Sequence, residues 1–288
     1  MFWPKNPFSV TGFLDMVFNS EAKDMRNEME SIIKEAQAFR ESVEDEYTNN
    51  YANAKSQLEK LEYVKLNAWQ GVLSVFVDKI KEIKNINLRG YDKIPFVETN
   101  MIKNIQSADF KKTEITLKEK ISINMFDNLF RINTASSFFS MLNAEENLQK
   151  AKEYAAKANY ETEKIKTRSV LLYRLGELAA TYSSFIDLYA QSCVEATSQL
   201  VIILNNAKEE QSKSVINKIK KYFNITWKIN FNDINERDQQ IIQIIYLMNQ
   251  ILYKVIQQPL ITPEGEIVNN ADKQLEDARK AAKMLPPT

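Results

Sequence analysis

The chain contains no histidine, one cysteine, five glycines and seven prolines in 288 residues. The missing histidine excludes the most. It removes the commonest general base and the commonest zinc ligand. With it go Ser-His-Asp and Cys-His arrangements and the Glu-x-x-His pairs of di-iron four-helix proteins. Cys193 stands alone, so it can form neither an intramolecular disulfide nor a thiolate cluster. Its place on an apolar helical stripe reads as a buried, inert thiol, in keeping with a reducing compartment. Average usage would give roughly 20 glycines and 14 prolines. The shortage of both argues for few connections and long elements.

Phosphate cradles are missing too. There is no GxxxxGK[ST] loop and no GxGxxG turn, so no reaction class is suggested. Carboxylates abound, but any long charged helix supplies them. The expectation is a protein that is not an enzyme, with no catalytic, cofactor-binding or metal-binding residues. It would need no cofactor and no small-molecule substrate. Lys and Arg total 38, as do Asp and Glu, so net charge is zero. That balance recommends no nucleic-acid partner. The run Lys218-Ile219-Lys220-Lys221 reads as a solvated helix face.

Charge-free apolar runs are also short. No window of 18 or more residues is both uncharged and strongly apolar, so no transmembrane helix is expected. The longest candidate, Ile121 to Leu142, contains Asp127 and Arg131, which are costly in hydrocarbon. The start lacks a basic region followed by an apolar core, so no secretory signal is expected. The location implied is cytoplasmic, with peripheral membrane association as the alternative.

What is present is helical periodicity. From Glu21 to Lys84 and from Glu145 to Asn206 an apolar stripe runs with one glycine each, Gly71 and Gly176, and no proline. The first stripe passes through Met25, Met29, Ile32, Ala36, Phe39, Val43, Tyr47, Tyr51, Ala54, Leu58 and Leu61. Its alternating steps of three and four make a heptad seam with one stutter near Tyr47. Beyond Leu61 the helix is apolar on more than one face, which calls for several neighbours. A continuous helix of this span would reach roughly 95 Å. The second stripe begins with small residues, Ala151, Ala155, Ala158 and Thr162, and becomes bulkier after Leu175.

The fold expected is all-α: an elongated antiparallel helical bundle with a coiled-coil stalk and a thicker helical head. In an antiparallel pair the small residues of the second helix would face the thick end of the first. A single helical domain would span 19–288, with long helices at about 21–84 and 145–206 and a connecting region at 85–144. Two further helices are expected at about 234–257 and 271–284. Asp233 with Glu236 reads as a capping box, and Pro259 ends the helix that follows. Ser20 and Asn143 read as the caps that open the two long helices. The alternating run Ile225 to Phe231 reads as a short strand or extended segment.

Residues 1–18 form an aromatic segment carrying Phe2, Trp3, Phe8, Phe13 and Phe18. One reading folds it back over a helix pair. The other lays it in a membrane interface, which favours Trp and Phe. These five residues are the candidate membrane or partner contacts.

Three stretches carry a family resemblance. They are the helix Lys55 to Asn87 (KSQLEKLEYVKLNAWQGVLSVFVDKIKEIKNIN), the segment Ala144 to Val170, and Ile251 to Val268 (ILYKVIQQPLITPEGEIV). In this order they resemble an uncharacterised bacterial family of long-helix proteins with a glycine-rich hydrophobic centre. The resemblance implies two long helices and a membrane-inserting centre. The corresponding residues here, 106–143, have no glycine and carry charge, so the centre is not kept. No functional residue carries over. The function expected is a structural or interaction protein that binds a protein partner or self-associates through its long helices. The alternative is a membrane-associated or pore-forming helical protein using residues 1–18 or 121–142.

Overall fold

The first long stripe folds as α1 (Lys23–Ala68), a π-helical turn (Trp69–Leu73) and α2 (Ser74–Ile80). The second folds as α3 (Ala144–Ser212), one uninterrupted helix. A two-residue strand β1 (Ile83–Lys84), a second one β2 (Ile229–Asn230), a 3-10 turn (Phe231–Asp233), α4 (Glu236–Gln257) and α5 (Ala271–Met284) complete the order. This computed structural model describes residues 23–87, 144–213, 228–262 and 266–286. The protein is all-α as expected, with one minimal two-stranded pairing among the described residues. The chain divides into two compact units. Met1–Lys55 and Asp127–Gly176 form the first, and Ser56–Phe126 and Glu177–Thr288 the second.

In the first unit the heptad spacing is realised as a narrow seam. Buried positions are Met29, Ala36, Val43, Tyr47 and Ala54 on α1 and Ala151, Ala155, Thr162, Ile165, Ser169 and Leu172 on α3. Met29 and Ala151 share one cluster, flanked by Ile33 and Leu148. Gly176 lies against Ala54, 3.4 Å from Ala54 Cα to the place a Cβ would take. Both pairs are separated by 122 positions, 151 less 29 and 176 less 54. A constant offset means the helices run parallel. The antiparallel expectation is therefore corrected, and the small residues of α3 meet the first part of α1 instead. Parallel neighbours need a connection long enough to bring the chain back, and 56 residues separate Asn87 from Ala144 in the sequence. A heptad pattern alone does not encode direction.

A polar layer fixes that register. Ser169, fully buried, accepts from Asn50 Nδ2 at 2.9 Å and donates to Glu46 Oε1 at 3.3 Å. Slipping the helices by a heptad would strand this hydroxyl without partners, at about 1–3 kcal/mol. The Lys152–Glu28 pair at 2.9 Å joins the same two helices. It is half-exposed and contributes little.

In the second unit α4 runs antiparallel to α1 and α2. Lys65 meets Gln258, Trp69 packs on Tyr253 and Phe76 meets Tyr246 edge to face. Phe76, Ile80, Ala196, Leu200, Ile242, Ile245 and Leu247 belong to one buried cluster. Burial of eleven residues of α4, on every side of the helix, follows from its near-continuous apolar run. Asn235 caps it, its Oδ1 accepting from Asp238 N at 2.9 Å. The expected Asp233 cap is displaced because Phe231 is buried and draws residues 231–233 into a 3-10 turn. Pro259 follows the end of α4 as expected. Lys65 Nζ, on a fully buried residue, donates to Gln258 O at 2.7 Å and so caps the last turn of α4.

The first long helix ends earlier than expected. Ser74 N bonds Trp69 O, which makes the π turn around exposed Gly71. The helix closes at Ile80, where Lys81 N bonds Val77 O at 3.2 Å, and Asn85 takes φ 60 just beyond β1. Ile83–Lys84 pairs in parallel with Ile229–Asn230, which realises the expected extended segment at its described end. Ser20 and Asn143, the expected opening caps, lie outside the described residues.

Two outcomes test this arrangement. With Cys193→Ala as background, Met29→Cys with Ala151→Cys oxidises to an intramolecular disulfide, whereas Met29→Cys with Leu172→Cys does not; the reverse result would restore the antiparallel pair. Lys65→Met keeps the stem but leaves the Gln258 carbonyl without its charged donor. It lowers unfolding free energy by about 1.5–3 kcal/mol in urea denaturation; an unchanged midpoint would remove the cap from the account.

Candidate interaction surface

The five aromatic candidates, Phe2, Trp3, Phe8, Phe13 and Phe18, lie outside the described residues, as do residues 121–142. The surfaces that can be built from residues upward are those of the long helices.

In the first unit, the outward side of α3 is densely charged. Between Gln149 and Arg174 seventeen residues are exposed, and nine of them are Lys, Arg or Glu. Among them stand Val170, Leu171 and Tyr173, 57%, 42% and 54% exposed. Tyr160 is exposed too, but Lys164 Nζ sits 4.2 Å from its ring centroid. On α1, Phe39 is half-buried, with Lys166 Nζ 5.9 Å from its ring. Those two aromatics are therefore covered by cations, while Val170 and Tyr173 stand one turn apart on the open side of the helix.

In the second unit the outward side of α3 changes character. Between Glu177 and Asn206 twelve residues are exposed and only Glu177, Asp187 and Glu195 are charged. Leu188, Val194 and Ile202 are exposed apolar residues there. The others are Ser184, Gln191, Ser192, Ser198, Asn205 and Asn206. Stripe-finding looks inward and misses this face. Its sequence signal is an absence: no Lys or Arg occurs between Arg174 and Lys208.

The electrostatics of the buried groups favours neutrality. Burial raises the phenols of Tyr189 and Tyr246 and the thiol of Cys193. Tyr182 is pushed up to about 12, first by burial and then by the carboxylate of Asp272. Its hydroxyl donates to Ala271 O at 2.8 Å, tying α3 to the start of α5. A buried neutral thiol is a poor nucleophile. Glu82 goes the other way: burial raises its carboxyl, but Lys208 and Lys79 outweigh that and hold it low. It joins the end of α2 to the last part of α3 through Lys208. Among the described residues no His, Cys, Asp and Glu group could hold a metal ion. No described helix is long and apolar enough to cross a membrane.

No protein-family model, curated protein or solved structure matches the chain.

Tyr182 gives a signed pH dependence. Its folded value of about 12 exceeds the ordinary 10.0, so folding favours the neutral phenol. The stability it contributes is full below pH 10 and is lost as pH rises from 10 towards 12. Tyr182→Phe removes that component. The gap in unfolding free energy between wild type and Tyr182→Phe narrows over this window; a gap that stays constant would place the phenol at its ordinary value.

Proposed function

We propose that this chain is a non-enzymatic structural or interaction protein, which binds a protein partner or itself through the outward faces of its long helices. The observation that carries the reading is how the heptad seams are used. The apolar stripes of α1 and α3 are buried within the chain, against each other in the first unit and in a larger core in the second. Apolar groups nevertheless remain outside, at Val170, Leu171 and Tyr173 in the first unit and Leu188, Val194 and Ile202 in the second. Exposed apolar groups on helices whose seams are already filled are what a docking surface requires. In this reading the first unit is a two-stranded coiled coil used as a rigid scaffold.

Site-specific photocrosslinking in cells tests it. A benzophenone amino acid at Val170 yields defined protein adducts, either a partner or a second copy of the chain. The same group at exposed, charged Glu153 does not. Absence of adducts at Val170, or equal adducts at both positions, would overturn the reading. Flotation with liposomes that depends on residues 1–18 and survives high salt would replace it with the membrane alternative.

A further inference from the structure

We infer that α5 is a lid over α3 and α4, which opens as one unit while the core around α4 stays folded. The inference goes beyond the interaction reading and does not rest on it.

The first argument is how little α5 buries. Its inward line is Ala271, Leu275, Ala278 and Ala281, at steps of four, three and three. Three of these four side chains are single methyl groups, and burial stabilises in proportion to the apolar area removed from water. The helix beneath it, α4, buries eleven residues, eight of them Ile, Leu or Val. Leu285, just past the end of α5, is only partly buried against the core cluster. The two neighbours are therefore held with very different strength.

The second argument is how α5 is tied down. α4 has Asn235 as a cap at its start and Lys65 at its finish. Asn270, at the start of α5, makes no side-chain cap bond. Gln274 Oε1 is buried without a hydrogen-bond partner, so docking α5 carries the cost of an unsatisfied acceptor. The Glu276–Lys280 pair, 2.7 Å apart, has both side chains more than half-exposed and contributes little. Against these stands a buried tie: Tyr182 Oη, on fully buried Tyr182 of α3, donates to Ala271 O at 2.8 Å.

The third argument is cooperativity. α5 has 14 residues, and isolated helices shorter than about 12–15 residues are marginal in water. Losing the contact with α4 therefore melts α5, and losing the helix undoes the contact. Undocking and melting are one step, of the low-stability kind from which lids are drawn. Opening uncovers the Tyr182 hydroxyl and the side of α4 beneath α5, both hidden in the closed form.

The test compares two alanines, Ala278 on α5 and Ala196 in the core cluster on α3, each 0% exposed. Each is changed to Cys in the Cys193→Ala chain and labelled with Ellman's reagent. Without denaturant the Ala278→Cys thiol reacts at least about 100-fold faster than the Ala196→Cys thiol. Its rate also rises less steeply with urea, because a partial opening exposes less surface than global unfolding. Adding Tyr182→Phe speeds the Ala278→Cys thiol by about fivefold or more. Hydrogen exchange on the unaltered chain gives a readout free of substitutions: the amides of α5 exchange together and ahead of those of α4. Equal labelling rates with the same urea dependence would overturn the inference. So would α5 amides that exchange only along with those of α4, or an Ala278→Cys rate that Tyr182→Phe leaves unchanged.

Discussion

Everything in the first unit depends on the parallel seam between α1 and α3. Its two sides are unlike. α1 presents Met29, Val43 and Tyr47, and α3 presents Ala151, Ala155, Thr162 and Ser169. At an offset of 122 positions Met29 falls opposite Ala151 and Tyr47 opposite Ser169, while Val43 falls opposite Ile165 and Ala54 opposite Gly176, so each layer has its own size pairing. Two copies of α1 would set Tyr47 against Tyr47, and two copies of α3 would leave gaps between alanines. Overpacking and cavities each cost of order 1–3 kcal/mol per layer. The seam therefore selects its partner within the chain, and the Asn50–Ser169–Glu46 layer selects the register. A seam so specified is already filled within the chain.

The second unit solves a different problem. Its α4 is apolar on several sides and needs neighbours all round. Both ends of α4 are satisfied by side chains, Asn235 at the start and Lys65 at the finish. Its middle is less comfortable. Tyr246 Oη and Asn249 Oδ1 are buried without a hydrogen-bond partner, as are Tyr189 Oη and Thr197 Oγ1 on α3. Each such atom costs about 1–3 kcal/mol relative to a satisfied one. The core of this unit thus gives up stability for polar groups that packing alone does not require.

The long helices were legible in the sequence because periodicity is a local signal that burial enforces. α5 begins and ends where the alanine-rich run does, at Ala271 and Met284, and α4 stops just before Pro259. Cys193 is buried, as its place on the stripe implied. Direction was not legible, because a seam of alternating threes and fours reads the same whether its partner runs parallel or antiparallel. The large-and-small complementarity of Met29 with Ala151 carries that information, but only once the two residues are known to meet. The π turn at Trp69–Leu73 was hidden for another reason: it falls where the helix is apolar on more than one face, so an extra residue leaves no visible break in a stripe. The aromatic candidates Phe2, Trp3, Phe8, Phe13 and Phe18 are conspicuous in composition and lie outside the described residues. The outward face of α3 has no conspicuous residue at all, and shows only as bases that are missing.

That face also bears on what kind of protein uses such helices. A helix that served only to space two ends would need solubility along its whole outer side, and charge of both signs provides it most simply. α3 uses this solution up to Arg174 and then abandons it for some thirty residues. Folding physics accounts for the inner face of α3 along its full length.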